Sequence, residues 1–214
     1  MLLALECSSA TRSVALWEAD RVVASRRHPD LRQAGVFALI EQVLAESGIP
    51  RDAIGTLAIG LGPGSYTGIR AAIAIAQGWE LATRVRLRGV SSAEVCAQQC
   101  HQEGWRGDIA VVIDAQRQEC YLAPFRIEAQ AVTATAPIRL VSRAEARAVA
   151  ESGVRLVGPE LEAQGLQGSR VFPDATALAR LAAMRTDDHR GDRLEPIYLR
   201  ATSFVKAAPP RVTA

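Results

Sequence analysis

The sequence predicts a duplicated α/β architecture in two lobes, and three observations carry that expectation. A pattern of strand, terminal carboxylate, polar hairpin and strand occurs twice. Residues 2–5, Glu6, a small polar turn and residues 13–17 recur as residues 109–113, Asp114, residues 115–118 and residues 119–125. An apolar segment at 56–60 runs into Gly62-Pro63-Gly64-Ser65-Tyr66-Thr67-Gly68, and a long Ala/Ile-rich stretch follows to residue 83. That order reads as strand, glycine turn and helix. Finally, the 214 residues are 49% hydrophobic and 22% charged, which calls for a sizeable core and not for disorder. At roughly 150 residues per domain the length allows one large unit or two small ones. The repeat divides the chain into an N-terminal lobe at 1–105 and a C-terminal lobe at 106–214.

The elements follow in order. Residues 2–27 read as a β-meander with turns at 7–11 and 18–21. Val36, Leu39, Ile40, Val43 and Leu44 recur at helical spacing, which predicts a helix over 33–47 ended by Gly48 and Pro50. A strand at 56–60, the glycine loop and a helix over 67–83 come next. A short strand at 84–89 leads to a helix starting at Ser91-Ser92, with Glu94 suited to its first turn. Gly104 and Gly107 break the chain before the second unit. Beyond its hairpin the pattern predicts a strand near 138–141, a helix near 143–151, a strand at 155–158 and a helix near 175–184. Residues 186–193 read as a charged, exposed linker and 207–214 as a frayed tail.

The glycine run has two readings from chemistry alone. Its glycines permit positive φ and close backbone approach, and the following helix start offers N–H groups to an anion or a capping hydroxyl. Ser65 or Thr67 can supply the cap. The loop lacks the ending of a P-loop, the spacing of a dinucleotide fingerprint and the G-x-S-x-G elbow of a nucleophilic serine. It is therefore either a structural turn (Gly62, Gly64, Ser65, Thr67, Gly68) or an anion cradle. Glu6, Ser8, Ser9 and Thr11 form a candidate anion site opposite it, the alternative being turn hydroxyls that bond the backbone. Glu6 with Asp114 across a cleft would suit Mg²⁺.

Other chemistry-bearing residues are sparse. Cys96 and Cys100 are four apart on a helix without further ligands in sequence, so they and Cys7 and Cys120 read as reduced thiols. His28, His101 and His189 form no H-x-x-x-H pair. No metal site and no cofactor is expected. Arg84, Arg86 and Arg88 alternate along the predicted strand, facing either phosphates, an acidic partner or only solvent. The 67–83 helix is apolar nearly all round, with Ile69, Ile73, Ala76 and Trp79 on one side and Ala71, Ala74, Ile75, Gly78 and Leu81 on the other. A helix of that kind is covered twice, inside the monomer or by another protein. A net charge of +2 does not suggest a free-standing nucleic-acid binder. No basic leader precedes the short apolar start, and no segment approaches the ~20 residues of a membrane span. The location expected is the cytoplasm.

Five segments carry a family resemblance: LLALECSSATRSVALW, GLGPGSYTGIRAAIAIAQGWELA, LRGVSSAEVCAQ, DAQRQECY and LEPIYLR. Together and in this order they resemble the TsaB (YeaZ) family, within the actin-like ATPase and sugar-kinase superfamily, whose lobes are duplicated ribonuclease-H-like units. The resemblance implies a non-catalytic dimerisation subunit of the bacterial tRNA threonylcarbamoyladenosine machinery. Its implied partners are TsaD, TsaE and a second copy of itself, with tRNA met only through the complex and no membrane. It also implies that the first two helices form the partner surface, at Val36, Phe37, Ile40, Arg70, Ala71, Ala74, Ile75 and Gly78. TsaB relatives often start the first helix with His-Ser where Arg32-Gln33 stand here, and the metal-binding histidine pair of TsaD is missing. A nucleotide-dependent phosphotransferase of the same superfamily is the alternative. A peptidase role rests only on an old glycoprotease label of the family.

Overall fold

The computed structural model describes residues 1–28 and 35–199. The Arg32-Gln33 position, the start of the 33–47 helix, Arg200 of the LEPIYLR segment and the 207–214 tail lie outside the described residues. The first half of the chain contains β1 (Leu2–Glu6), β2 (Arg12–Glu18), β3 (Arg21–His28), α1 (Val36–Ser47), β4 (Thr56–Gly60), α2 (Tyr66–Thr83), β5 (Arg86–Val90) and α3 (Ser92–Gln102). The second contains β6 (Gly107–Asp114), β7 (Glu119–Ile127), β8 (Val132–Ala134), β9 (Arg139–Ser142), α4 (Arg143–Glu151), β10 (Arg155–Gly158), β11 (Ser169–Arg170) and α5 (Ala175–Ala183).

The strands form two sheets with the same plan. The first is ordered β3-β2-β1-β4-β5, and the second β11-β10-β6-β7-β8 with β9 also paired to β7. In each, an antiparallel hairpin is followed by parallel addition on its first strand. Leu2 to Glu6 pair antiparallel with Trp17 to Ser13 and parallel to β4, while β6 pairs antiparallel with β7 and parallel to β10. The repeat read from sequence is thus a repeat of topology. The second copy is reduced: β11 is two residues long, and a 3-10 turn at Glu162–Gln164 stands where α2 stands in the first.

Side-chain alternation explains how the first sheet is covered on both faces. Leu3, Leu5, Val14, Leu16, Leu57 and Ile59 point to one side and meet Leu39, Ile40 and Val43 of α1 and Ile69 and Ile73 of α2. Ala4, Ala15 and Ala58 face the other way and meet Ala175, Leu178, Ala179 and Ala182 of α5. Alanine on both sides lets that helix lie close to the sheet. In the second sheet Ile109, Val111 and Phe125 pack on Ala93, Cys96 and Cys100 of α3. Each half thus lends a helix to the other's sheet: α3 lies against β6 and β7, and α5 against β1, β2 and β4. Asp174 caps α5 and receives Arg27 Nη2 at 2.6 Å, while Ser13 Oγ accepts Ala175 N–H at 2.8 Å.

Three expectations need correction. Arg84 is not on a strand; it is the left-handed C-cap of α2, with φ 57°, so only Arg86 and Arg88 alternate along β5. Arg88 is not free either, since it pairs with Asp188 at 2.8 Å. Residues 186–193 are not a loose linker. His189 N–H bonds Leu87 O at 2.7 Å, Gly191 N–H bonds Glu80 at 3.0 Å, and further on Ile197 N–H bonds Leu61 O at 2.9 Å. The segment is a strap along the β5 edge, with Gly191 and Leu194 buried. Its charges hid that pairing from a hydropathy reading.

Backbones pack very closely where α2 starts. A Cβ on Gly68 would stand 2.0 Å from Cys7 O, and one on Gly64 2.0 Å from Ser8 O. Both obstacles are backbone, so neither can swing away. Gly68→Ala should therefore destabilise the fold by about 3 kcal/mol or more, read as the loss in urea unfolding free energy. A change under ~1 kcal/mol would mean that the helix can back off from the β1–β2 turn.

Candidate functional site: a sealed strand end and an open helix face

Two features compete for the role of functional site, the β1–β2 turn with its glycine loop and the outer face of α1 and α2. The first is closed. Glu6 is fully buried. Its Oε1 accepts Ser8 N–H at 2.8 Å and its Oε2 accepts the Ser92 hydroxyl at 3.0 Å. Ser92 N–H in turn reaches Gly62 O at 2.8 Å, and Gly62 N–H reaches Ser92 Oγ at 3.1 Å. A Cβ on Gly60 would fall 2.1 Å from Glu6 Oε2, so the carboxylate occupies the room that glycine leaves. Burial, the largest influence, raises the Glu6 carboxyl above its ordinary range, against hydrogen bonds from Ser8 and Ser92 that pull it down.

Ser8, Ser9 and Thr11 are also buried. Ser9 Oγ donates to Thr11 O at 2.9 Å and accepts Thr11 N–H at 3.2 Å. The Ser9 hydroxyl thus serves the turn, Ser8 Oγ is buried without a hydrogen-bond partner among the described residues, and all four residues, Glu6 included, are shut away from solvent. Ser65 is the N-cap of α2, its Oγ accepting Gly68 N–H at 3.3 Å, while its own N–H bonds Ser8 O at 2.6 Å. Thr67 is exposed in the first helical turn. The Glu6 carboxylate thus fills the space between turn and loop.

The equivalent carboxylate of the second unit has a different neighbour. Asp114 accepts the backbone N–H and side-chain amide of Gln116 at 3.2 and 2.8 Å. Its partner in electrostatics is Glu160, just past β10, whose carboxyl is pushed up to about 7 by burial first and by the Asp114 charge second. Glu6 and Asp114 therefore belong to separate clusters. No group of three or more His, Cys, Asp and Glu side chains able to hold a metal occurs among the described residues. All four cysteines are free and buried, and burial raises Cys7 and Cys100 to about 12 and Cys120 to about 11.

The second feature is open. Phe37 of α1 is 66% exposed and Leu81 of α2 86% exposed. Between the two helices runs a groove of about 440 Å³, lined by Phe37, Ile40, Ala74, Ile75, Gly78, Trp79 and Ala82, with the Glu41–Arg51 ion pair at its rim. The expected surface residues divide three ways. Phe37, Ala74, Ile75 and Gly78 meet in this groove, with Ile40 nearly buried at its floor. Arg70 and Ala71 lie on the other flank of α2. Val36 is buried in the first core, because its place one turn before Ile40 turns it inward.

Gly78 is the informative member. A glycine inside a helix costs about 1 kcal/mol relative to alanine, yet a Cβ there would meet nothing within 4 Å. Nothing among the described residues requires it. Trp79, on the inward stripe by periodicity, packs against the first core and also walls the groove, a second role that the sequence reading did not give. Sequence reasoning also missed the cluster on the far flank. There Arg70 Nη1 donates to the Tyr66 hydroxyl at 2.7 Å, the Arg70 guanidinium carbon lies 4.9 Å from the ring centroid, and Tyr66 stacks on Tyr198 at 5.5 Å. The two tyrosines are too far apart in sequence for any local pattern to join them.

Two sheets of one plan, each opened by a hairpin and each covered by a helix from the other half, define a duplicated α/β protein of the actin-like ATPase and sugar-kinase class. Residues 23–175 match the family described as TsaD, tRNA N6-adenosine threonylcarbamoyltransferase, and the chain belongs to that family. Among curated proteins it is similar to the tRNA threonylcarbamoyladenosine biosynthesis protein TsaB of Escherichia coli K12, 32% identical over 58% of this chain and 54% of that one. It is also similar to TsaB of Haemophilus influenzae, 29% identical over 57% and 52%. The chain spans about half the length of the curated relatives it matches. Among solved structures, YeaZ from Pseudomonas aeruginosa superposes with a TM-score of 0.79 at 25% identity, over 92% of this chain and 99% of that one.

The Asp114–Glu160 pair makes stability depend on pH with a defined sign. Glu160 holds its proton more tightly folded, at about 7, than unfolded, near 4.5. Its contribution is full below pH 4.5 and is lost as pH rises through 7. Glu160→Gln should thus match wild type near pH 4.5 and exceed it at pH 8 by about 1–3 kcal/mol in chemical denaturation. An equal difference at both pH values would contradict the assignment.

Proposed function

We propose that this chain is a scaffold subunit of the tRNA threonylcarbamoyladenosine system. In this reading it docks α1 and α2 onto a TsaD-type partner and, without that partner, onto a second copy of itself. The observation that carries the reading is the open apolar groove beside Gly78, where the helix gives up side-chain volume that its own monomer does not use. A partner helix can approach such a surface closely and bury Phe37 and Leu81 on the way. TsaD-directed binding is supported by family membership and by the TsaB names of the curated relatives. Participation of TsaE, and contact with tRNA only inside the assembly, follow from the same reading, as does a cytoplasmic location. No helix among the described residues is long and apolar enough to cross a membrane.

The subunit acts without catalysing the transfer. That is supported by the missing H-x-x-x-H pair and by a strand-end carboxylate enclosed in protein. The competing reading, a nucleotide-dependent phosphotransferase, needs a strand-end carboxylate that a metal–phosphate group can reach. Glu6 is held by Ser8 and Ser92 away from solvent.

Two substitutions separate docking from folding. Ala74→Arg puts a cation into the exposed groove and should leave circular dichroism unchanged while weakening self-association and TsaD capture by at least ~tenfold in sedimentation velocity. Gly78→Ala should raise monomer stability by up to ~1 kcal/mol and still weaken the same associations. If both folded variants dimerise and capture TsaD as wild type does, the interface lies elsewhere.

A further inference from the structure

A second cleft, of about 600 Å³, lies between the halves and away from both α2 and the strand ends that carry Glu6 and Asp114. Its walls come from α3, from α5 and from the turn that joins β7 to β8. Those elements rest on different sheets, since α5 packs on the first and α3 on the second. The size suits a small metabolite.

The wall contains polar groups that the fold leaves unsatisfied. Gln98, on α3, is 8% exposed, and its amide has no hydrogen-bond partner among the described residues. One turn on, His101 Nε2 lies 3.2 Å from Ala129 O. A carbonyl only accepts, so Nε2 carries a proton, and Nδ1 is the ring's other nitrogen. That Nδ1 is buried and has no partner either. One buried atom of this wall, His101 Nδ1, is thus unpaired, and the partnerless Gln98 amide beside it is reachable from the cleft. Gln102 and Gln130 add further amides, Leu181 and Met184 an apolar side. The one carboxylate, Glu94, is already engaged by Arg185 Nη2 at 2.7 and 2.8 Å. Arg180, exposed at the rim, has no ion-pair partner among the described residues.

We propose that this cleft is a binding site for a small organic anion that carries an adjacent hydrogen-bond donor and acceptor. The anion meets Arg180. The donor–acceptor edge meets the Gln98 amide, which offers the complementary pair. The body of the ligand lies on Leu181 and Met184. An adenine nucleotide has this chemistry, because glutamine pairs with the adenine N6/N7 edge. A carboxylate bearing a primary carboxamide has it as well. A bound molecule would touch α3, α5 and the β7–β8 turn at once and so tie the two halves together.

The test is side-chain amide NMR of the full chain titrated separately with adenosine 5′-monophosphate and with N-acetyl-L-glutamine. A saturable shift of the Gln98 amide at millimolar concentration is expected with at least one probe, and the probe that acts names the source. Gln98→Leu keeps the shape and removes the partnerless amide. It should leave the melting temperature unchanged or raised and weaken binding, followed at Gln102 and Gln130, at least ~tenfold. Arg180→Ala should weaken it by a similar factor. No saturable shift with either probe would overturn the proposal, as would an affinity that Gln98→Leu leaves unchanged.

Discussion

The seam between the β1–β2 turn and the glycine loop is the constraint on which the rest of the first half depends. Gly60, Gly64 and Gly68 have given up side chains so that Glu6, the Ser8 carbonyl and the Cys7 carbonyl can occupy the space. Ser92 then ties the start of α3 to the same carboxylate. Four elements are fixed by this one contact: β1, β4, α2 and α3. An enclosed carboxylate without a cation is costly to ionise, and that cost is offset only by hydrogen bonds held in place by the surrounding backbone. The arrangement encloses the Glu6 carboxylate at the end of β1. It also fixes the direction in which α2 leaves the sheet, which decides the face α2 shows to the outside.

The exchange of α3 and α5 between the halves has a second consequence. Each sheet needs two covers, and each half supplies one helix to its neighbour. The alanine-rich contact of α5 with β1, β2 and β4 is as much a part of the first core as α1 and α2 are. Separation of the halves would expose both the Ala4–Ala15–Ala58 face and the Cys96–Cys100 face. The strap at 186–199 adds backbone bonds to β5 and to the glycine loop. The two repeats therefore stand or fall together, although each has its own sheet.

Much of this was legible in the sequence because it rests on local patterns. The period-two runs at 2–5 and 109–113 marked the strands. Glycine density marked the turn before α2, and the inward stripe of Ile69, Ile73 and Ala76 matches the buried side of that helix. Elements held by distant partners were not legible. β8 and β11 are too short to show a period. Residues 186–193 read as linker because charge dominates their composition, whereas their backbone pairs with Leu87. Whether Glu6 and its neighbours formed a site or a seal depended on Gly60 and Ser92, which approach from other elements. Val36 was assigned to the partner surface through the family resemblance, whereas its helical spacing with Ile40 and Val43 turns it inward, and Trp79 both packs on the first core and walls the groove because periodicity does not give the position of the neighbouring helix.

In the proposed division of labour, catalysis is left to a partner and this chain supplies a docking surface through its open helix face. Hydrogen–deuterium exchange of the chain, alone and mixed with its cognate TsaD, tests that claim most directly. The account predicts new protection in residues 36–47 and 66–83 and no change in residues 2–11. Protection confined to the second sheet, or none at α2, would contradict it.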